Sequence, residues 1–134
     1  MPHWISGKIL YKRLINKLKN KYTIIVYRKP NKILNDDIKS TLKYFDKAKK
    51  DIIKTTDYLE NMGYKDFSIL GVSLSGILTF IVANSDKRFK KIIFNLPGSD
   101  LAKCFWESNS LVTKLIRKKI EANNINLKNL ENYW

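Results

Sequence analysis

Hydrophobic positions follow two spacings along this chain, one typical of helices and one typical of strands. Apolar side chains recur on a single helical stripe, with polar and charged residues opposite, at residues 8–21 and 44–61. Short runs rich in β-branched and aromatic residues predict buried strands at residues 22–27, 66–72 and 91–95. The pattern therefore predicts helices and strands that alternate.

The remaining segments continue this alternation. Residues 74–84 are apolar nearly all round, which predicts a helix buried on several sides. Gly63 follows the second helix and suits the left-handed conformation that ends helices. Beyond the third strand the pattern is helical, over residues 100–107, 111–123 and 127–133. We expect an α/β protein with a mostly parallel, three-stranded sheet flanked by helices.

Composition narrows the class of protein further. The chain has 134 residues, enough for one domain, and its hydrophobic fraction of 44% can fill a core. A single cysteine, Cys104, excludes an internal disulfide, and with a single histidine the chain cannot supply a Cys/His metal set. We expect no cofactor and no metal. No apolar run approaches the length of a membrane span, and we expect a cytoplasmic protein.

The formal net charge of +14 favours contact with nucleic acid or an anionic membrane. The lysines, however, are spread along the whole chain and far outnumber the arginines. Nucleic-acid readers use arginine for bidentate contacts and concentrate their charge on one face. We therefore favour a lysine-rich composition over nucleic-acid binding as the explanation of the charge.

The hexapeptide Gly-Val-Ser-Leu-Ser-Gly at residues 71–76 joins the second strand to the apolar helix. A serine on such a sharp reversal needs small residues two positions before and after it, because larger side chains would collide. Gly71 and Ser75 meet this requirement, although Ser75 replaces the usual glycine. The pattern predicts a nucleophile elbow with Ser73 as nucleophile, rather than a plain turn with capping serines. The N–H of Leu74 would be one oxyanion donor.

This elbow, the apolar helix and the strand at residues 91–95 resemble the central segment of α/β-hydrolase-fold proteins. The resemblance extends over residues 22–106 and is most specific around Ser73. It implies a serine hydrolase of esterase, lipase or peptidase type, acting on a small ester or amide substrate. It also implies that a second oxyanion donor comes from a loop that matches residues 2–5, so the candidates are the backbone N–H groups of His3 and Trp4.

The resemblance implies a triad in the chain order serine, acid, histidine. His3 is the one histidine, and it precedes Ser73. Sequence order does not forbid a contact, yet a residue this close to a terminus is usually an ordinary loop side chain. Asp100 follows the third strand, where some members of the family place their acid, but capping the next helix is the role we favour for it. The acid and the base are therefore not assigned.

The resemblance also implies that a central strand between the strands at residues 22–27 and 66–72 is missing. We expect residues 1–98 to form a partial hydrolase core and residues 99–134 a helical, lid-like segment of the same domain. The chain would then be the middle piece of a longer hydrolase. A sheet without its central strand exposes edges and apolar faces, so we expect self-association or a complementary chain.

Two other functions compete with hydrolysis. A non-catalytic remnant or pseudoenzyme of the same fold would explain why no histidine follows Ser73. A basic module that binds nucleic acid or anionic lipid would use the lysines, with aromatic side chains such as Trp4 and Trp106 stacking or inserting. Those aromatic residues are scattered along the chain, and most fit the packing of a core.

Overall fold

The computed structural model describes residues 7–28, 38–95 and 100–133, which together hold six helices and two strands. In chain order these are α1 (Gly7–Leu18), α2 (Ile38–Asn61), β1 (Phe67–Val72), α3 (Leu74–Ser85), β2 (Phe89–Asn95), α4 (Leu101–Trp106), α5 (Leu111–Ala122) and α6 (Leu127–Tyr133). The architecture is mixed α/β, with a parallel pair of strands flanked by helices. The expected class and the parallel pairing are confirmed.

The two strands pair from Phe67 opposite Phe89 to Val72 opposite Asn95. Parallel strands need a crossover connection, and α3 supplies it while packing against both strands. Both strands consequently end at the same edge of the sheet. The residues that follow β1 therefore lie beside the end of β2.

The expected third strand at residues 22–27 is not formed in the described part of the chain, whose sheet has two strands. The side chains of Tyr22, Ile25 and Val26 are exposed. Burial, together with the nearby Asp51 carboxylate of α2, raises the pKa of Tyr27. A run of β-branched residues becomes a strand only when a neighbouring strand accepts its backbone hydrogen bonds, and no strand within residues 7–28, 38–95 and 100–133 does so.

Helix α2 begins six residues earlier than the apolar pattern predicts. The buried stripe of α2 starts at Thr41, which is fully buried, and continues through Phe45 and Ala48. These positions are spaced by one helical turn, so they share a face. The early turn was missed because a threonine at the start of the stripe counts as polar in the sequence pattern.

The main core lies between α2, α3 and the sheet. Its buried members come from all four elements: Phe45, Ala48, Phe67, Leu74, Leu78, Val82 and Phe89. The rings of Phe67 and Phe89 meet edge to face, with their centroids 6.4 Å apart, across the paired strands. Helix α3, expected to be buried on several sides, leaves one side open, where Phe80 is exposed.

The last three helices enclose a second apolar cluster, formed by Ala102, Phe105, Ile120 and Leu130. Helix α6 also contacts α2, so the second cluster adjoins the main core. The boundary expected at residues 98–99 lies outside the described residues.

Helices α2 and α5 end with the same backbone arrangement, in which a residue just after the helix has a positive φ. After α2, Gly63 takes φ 94°, its N–H donates to the Glu60 carbonyl, and Tyr64 N–H donates to the Leu59 carbonyl. After α5, Asn124 at φ 59° has the corresponding place. Glycine and asparagine tolerate the left-handed region better than other residues, which confirms the prediction that Gly63 ends its helix.

Arg88 joins the end of α3 to α2 through three carboxylates. Its guanidinium lies 2.6 Å from an oxygen of Asp86, 2.6 Å from one of Asp57 and 2.7 Å from one of Glu60. The Asp86 side chain is only 8% exposed, whereas the side chains of Asp57 and Glu60 are half exposed. Hydrogen bonds from Arg88 outweigh burial and hold the pKa of Asp86 below its ordinary value.

Replacing Arg88 with glutamine should lower the free energy of unfolding by about 2 kcal/mol at neutral pH, because Asp86 is left buried without its counter-ion. The pKa of Asp86 is depressed in the folded state, so this stabilisation is present above about pH 4 and is lost as the pH falls through the folded-state value. Urea unfolding of wild type and Arg88→Gln at pH 7 and at about pH 3 measures both effects.

The matched control for this variant is Asp57→Asn. It removes a half-exposed partner of Arg88 and should cost less than about 1 kcal/mol. An Arg88→Gln penalty that stays the same at both pH values would show that the charge of Asp86 is not the reason for the loss.

Candidate nucleophile elbow at Ser73

The reversal between β1 and α3 is made by one residue. Strand β1 ends at Val72 and α3 begins at Leu74, which leaves Ser73 as the whole connection, at φ 57° and ψ −127°. Positive φ is unfavourable for a residue with a Cβ atom and costs on the order of 1–3 kcal/mol. Among the described residues other than glycine, only Ser73 and Asn124 have positive φ, and asparagine is the more tolerant of the two. The sharp turn expected from the sequence is present, and its backbone is strained.

Backbone hydrogen bonds hold this strained residue from both sides. The N–H of Ser73 donates to the Asn95 carbonyl at 2.8 Å, which extends the parallel ladder by one step beyond β1. The Ser73 carbonyl accepts from Gly76 N–H at 2.7 Å, which closes the first turn of α3. The two bonds fix the Ser73 backbone between the end of β2 and the start of α3.

Close packing of β1 against α3 explains the small residue two positions before the serine. A Cβ atom on Gly71 would stand 2.5 Å from the Ser75 carbonyl carbon, and would overlap the Ser75 carbonyl oxygen and Thr79 Oγ1 still more. Such separations are far inside van der Waals contact. Gly71 is therefore required for close approach, as the small-residue rule of the elbow predicts.

The Ser73 hydroxyl is not used to cap α3. A capping serine accepts a hydrogen bond from a backbone N–H of the first helical turn, and the Ser73 side chain makes no such bond. The first N–H groups of a helix have no intrahelical partner. Since Gly76 N–H is already bonded to Ser73, the donors left to face an anion in this turn are those of Leu74 and Ser75.

The structure does not join the other predicted site residues to Ser73. His3 and Trp4 lie outside the described residues. Asp100 caps α4, where its carboxylate accepts from Lys103 N–H at 2.9 Å and lies 4.0 Å from the Lys103 ammonium. Capping is the role that the sequence favoured for Asp100, and the acid role has no contact in its support.

Asn95 lies at the same edge of the sheet as Ser73, and the sequence pattern did not identify it as a site residue. It ends β2 opposite Val72, its carbonyl holds Ser73, and its side chain is exposed. A signal was available in the sequence, because the carboxyl ends of neighbouring parallel strands meet at one edge. Asn95 therefore brings an amide side chain to the strand end whose carbonyl accepts from Ser73 N–H.

The described residues contain no group of three His, Cys, Asp or Glu side chains placed to hold a metal ion. No helix in the described ranges is long and apolar enough to cross a membrane. No family model matches this chain, and no curated protein or solved structure does.

Replacing Gly71 with alanine should lower the free energy of unfolding by about 3 kcal/mol, because the new methyl group forces α3 away from β1. Gly63→Ala is the matched control, since a Cβ on Gly63 meets nothing within 4 Å and the residue needs glycine only for its φ of 94°. Its cost should be nearer 1 kcal/mol. Equal losses for the two variants in urea unfolding would contradict the close-approach argument.

Replacing Ser73 with glycine should raise the free energy of unfolding by about 1 kcal/mol, because glycine adopts φ 57° without a steric penalty. Ser73→Ala keeps the Cβ atom and should leave stability nearly unchanged, since the hydroxyl makes no capping bond. Urea or thermal unfolding of the three proteins tests this. A Ser73→Gly variant less stable than Ser73→Ala would argue against backbone strain at this residue.

Proposed function

We propose that this chain is a serine hydrolase of the α/β-hydrolase type in which Ser73 is the nucleophile. The observation that carries the proposal is the backbone of Ser73, which holds positive φ between a parallel strand and a helix while its hydroxyl is not used as a cap. Strain of this kind persists where the surrounding structure enforces it, and it concentrates at functional sites. Gly71 packed against Ser75 and Thr79 supports the same interpretation.

In the proposed reaction, Ser73 Oγ attacks the carbonyl carbon of an ester or amide, and negative charge develops on the carbonyl oxygen. The N–H of Leu74 would donate to that oxygen, aided by the positive end of the α3 dipole. Collapse of the intermediate releases the alcohol or amine and leaves an acyl-serine, which water hydrolyses. The second donor would come from the His3 or Trp4 backbone.

A general base must take the proton from Ser73 Oγ and pass it to the leaving group. The base is not assigned, and His3 is the only histidine of the chain that could be tested for this role. The proposal also includes the domain arrangement that the resemblance to the α/β-hydrolase fold implies. In it, residues 1–98 are a partial hydrolase core and residues 99–134 are a lid-like segment.

A non-catalytic member of the same fold is the second candidate. The engagement of Asp100 in the α4 cap favours it, because that carboxylate is occupied by Lys103. A strained serine without a base reacts slowly, since an unactivated hydroxyl is a weak nucleophile.

A fluorophosphonate probe separates the two candidates, because it reacts covalently only with an activated serine. We expect labelling of wild type and complete loss of labelling in Ser73→Ala. Ser75→Ala is the matched control, because it changes the neighbouring serine of the same motif and should keep most of the labelling. Mass spectrometry of the labelled peptide locates the adduct.

Labelling that persists in Ser73→Ala would disprove the assignment of the nucleophile. An unlabelled but cooperatively folded wild type would support the non-catalytic candidate. His3→Ala tests whether His3 is the base, and labelling should fall by about a hundredfold if His3 activates Ser73.

A further inference from the structure

Helix α5 exposes two large apolar side chains. Leu111 is 79% exposed and Leu115 is 64% exposed, and they lie one turn apart on the same helix. Leucines at such positions lose the stabilisation that burial would provide. Two neighbouring exposed leucines on one helix face form an apolar patch that is a candidate contact surface.

The faces of α5 follow from its helical period. At 100° per residue, Leu111 and Leu115 point away from the face that carries Thr113, Ile116 and Ile120. Thr113 and Ile120 are buried, and Ile116 packs against the second apolar cluster. The helix is therefore anchored to the protein on one side, and its leucines occupy the centre of its solvent face.

Lysines flank the exposed leucines. Lys114 and Lys118 lie on the same face, both are exposed, and within the described residues neither forms a salt bridge. The helix as a whole carries four basic residues and one acidic residue among its twelve. Long lysine side chains can lie along an apolar surface while their ammonium groups remain in water.

We propose that α5 docks on an anionic lipid surface, with Leu111 and Leu115 entering the boundary between headgroups and acyl chains while Lys114 and Lys118 contact lipid phosphates. Apolar residues bordered by lysines on one face of a helix match a membrane interface in both chemistry and charge. A nucleic acid would use the lysines but would leave the leucines in water. The proposal does not depend on the reactivity of Ser73.

Co-sedimentation of the full chain with vesicles tests this. Vesicles of phosphatidylcholine mixed with phosphatidylglycerol should bind the protein, vesicles of phosphatidylcholine alone should bind it far less, and salt should weaken the binding. The double variant Leu111→Gln with Leu115→Gln should bind anionic vesicles at least about tenfold more weakly. The double variant Lys114→Gln with Lys118→Gln should lose binding on the order of tenfold.

Lys50→Gln with Lys54→Gln is the matched control. These two exposed lysines lie one turn apart on α2, so the variant removes the same charge from another helix. It should keep binding to within about twofold, because membrane attraction falls off within a Debye length. Circular dichroism of each variant verifies that the helices remain formed.

Three results would overturn the proposal. Wild type that does not bind anionic vesicles excludes the lipid surface. A leucine variant that binds as well as wild type excludes α5 insertion and indicates a diffuse basic surface, which single-stranded DNA would also bind. An equal loss in the α2 and α5 lysine variants shows that total charge, and not the α5 face, determines binding.

Discussion

The close passage of α3 over the end of β1 is the constraint on which the candidate site depends. Gly71 lets the helix backbone at Ser75 and the Thr79 hydroxyl come within contact of the strand. With that approach, α3 packs on both strands and contributes Leu74, Leu78 and Val82 to the main core. A helix held further from the sheet could not start one residue after the strand, and Ser73 would have no reason to adopt its strained backbone.

Helix α3 is fixed at both ends, so contacts with β2 and α2 help to offset the backbone strain at Ser73. At its start, the ladder bond from Ser73 N–H to Asn95 fixes the turn to β2. At its end, Asp86 closes the helix and is tied through Arg88 to two carboxylates of α2. Strain of on the order of 1–3 kcal/mol at one residue can persist when the elements on either side of it are fixed independently.

Local signals in the sequence predicted most of the elements and the turn at Ser73. Residues within a few positions determine each of these features: the end of α2 at Gly63, the apolar helix α3 and the turn at Ser73. The prediction of a strand at residues 22–27 was wrong for the described part of the chain, because strand formation depends on a partner distant in sequence and local β-propensity does not supply one. The start of α2 was missed because Thr41 is polar by type yet fully buried. Asn95 was overlooked because its importance arises from pairing with β1.

The candidate site shows the same contrast between groups that the local sequence supplies and groups that must come from distant parts of the chain. One turn supplies both the hydroxyl of Ser73 and the Leu74 N–H that would face an oxyanion, so these two parts of a hydrolase need only the local sequence. A base and an acid come from other elements, and Asp100 shows how easily a carboxylate is taken up by the nearest helix end instead. A strained serine turn can therefore be retained by packing alone, and the group that removes the proton from Ser73 decides whether the turn is a catalyst.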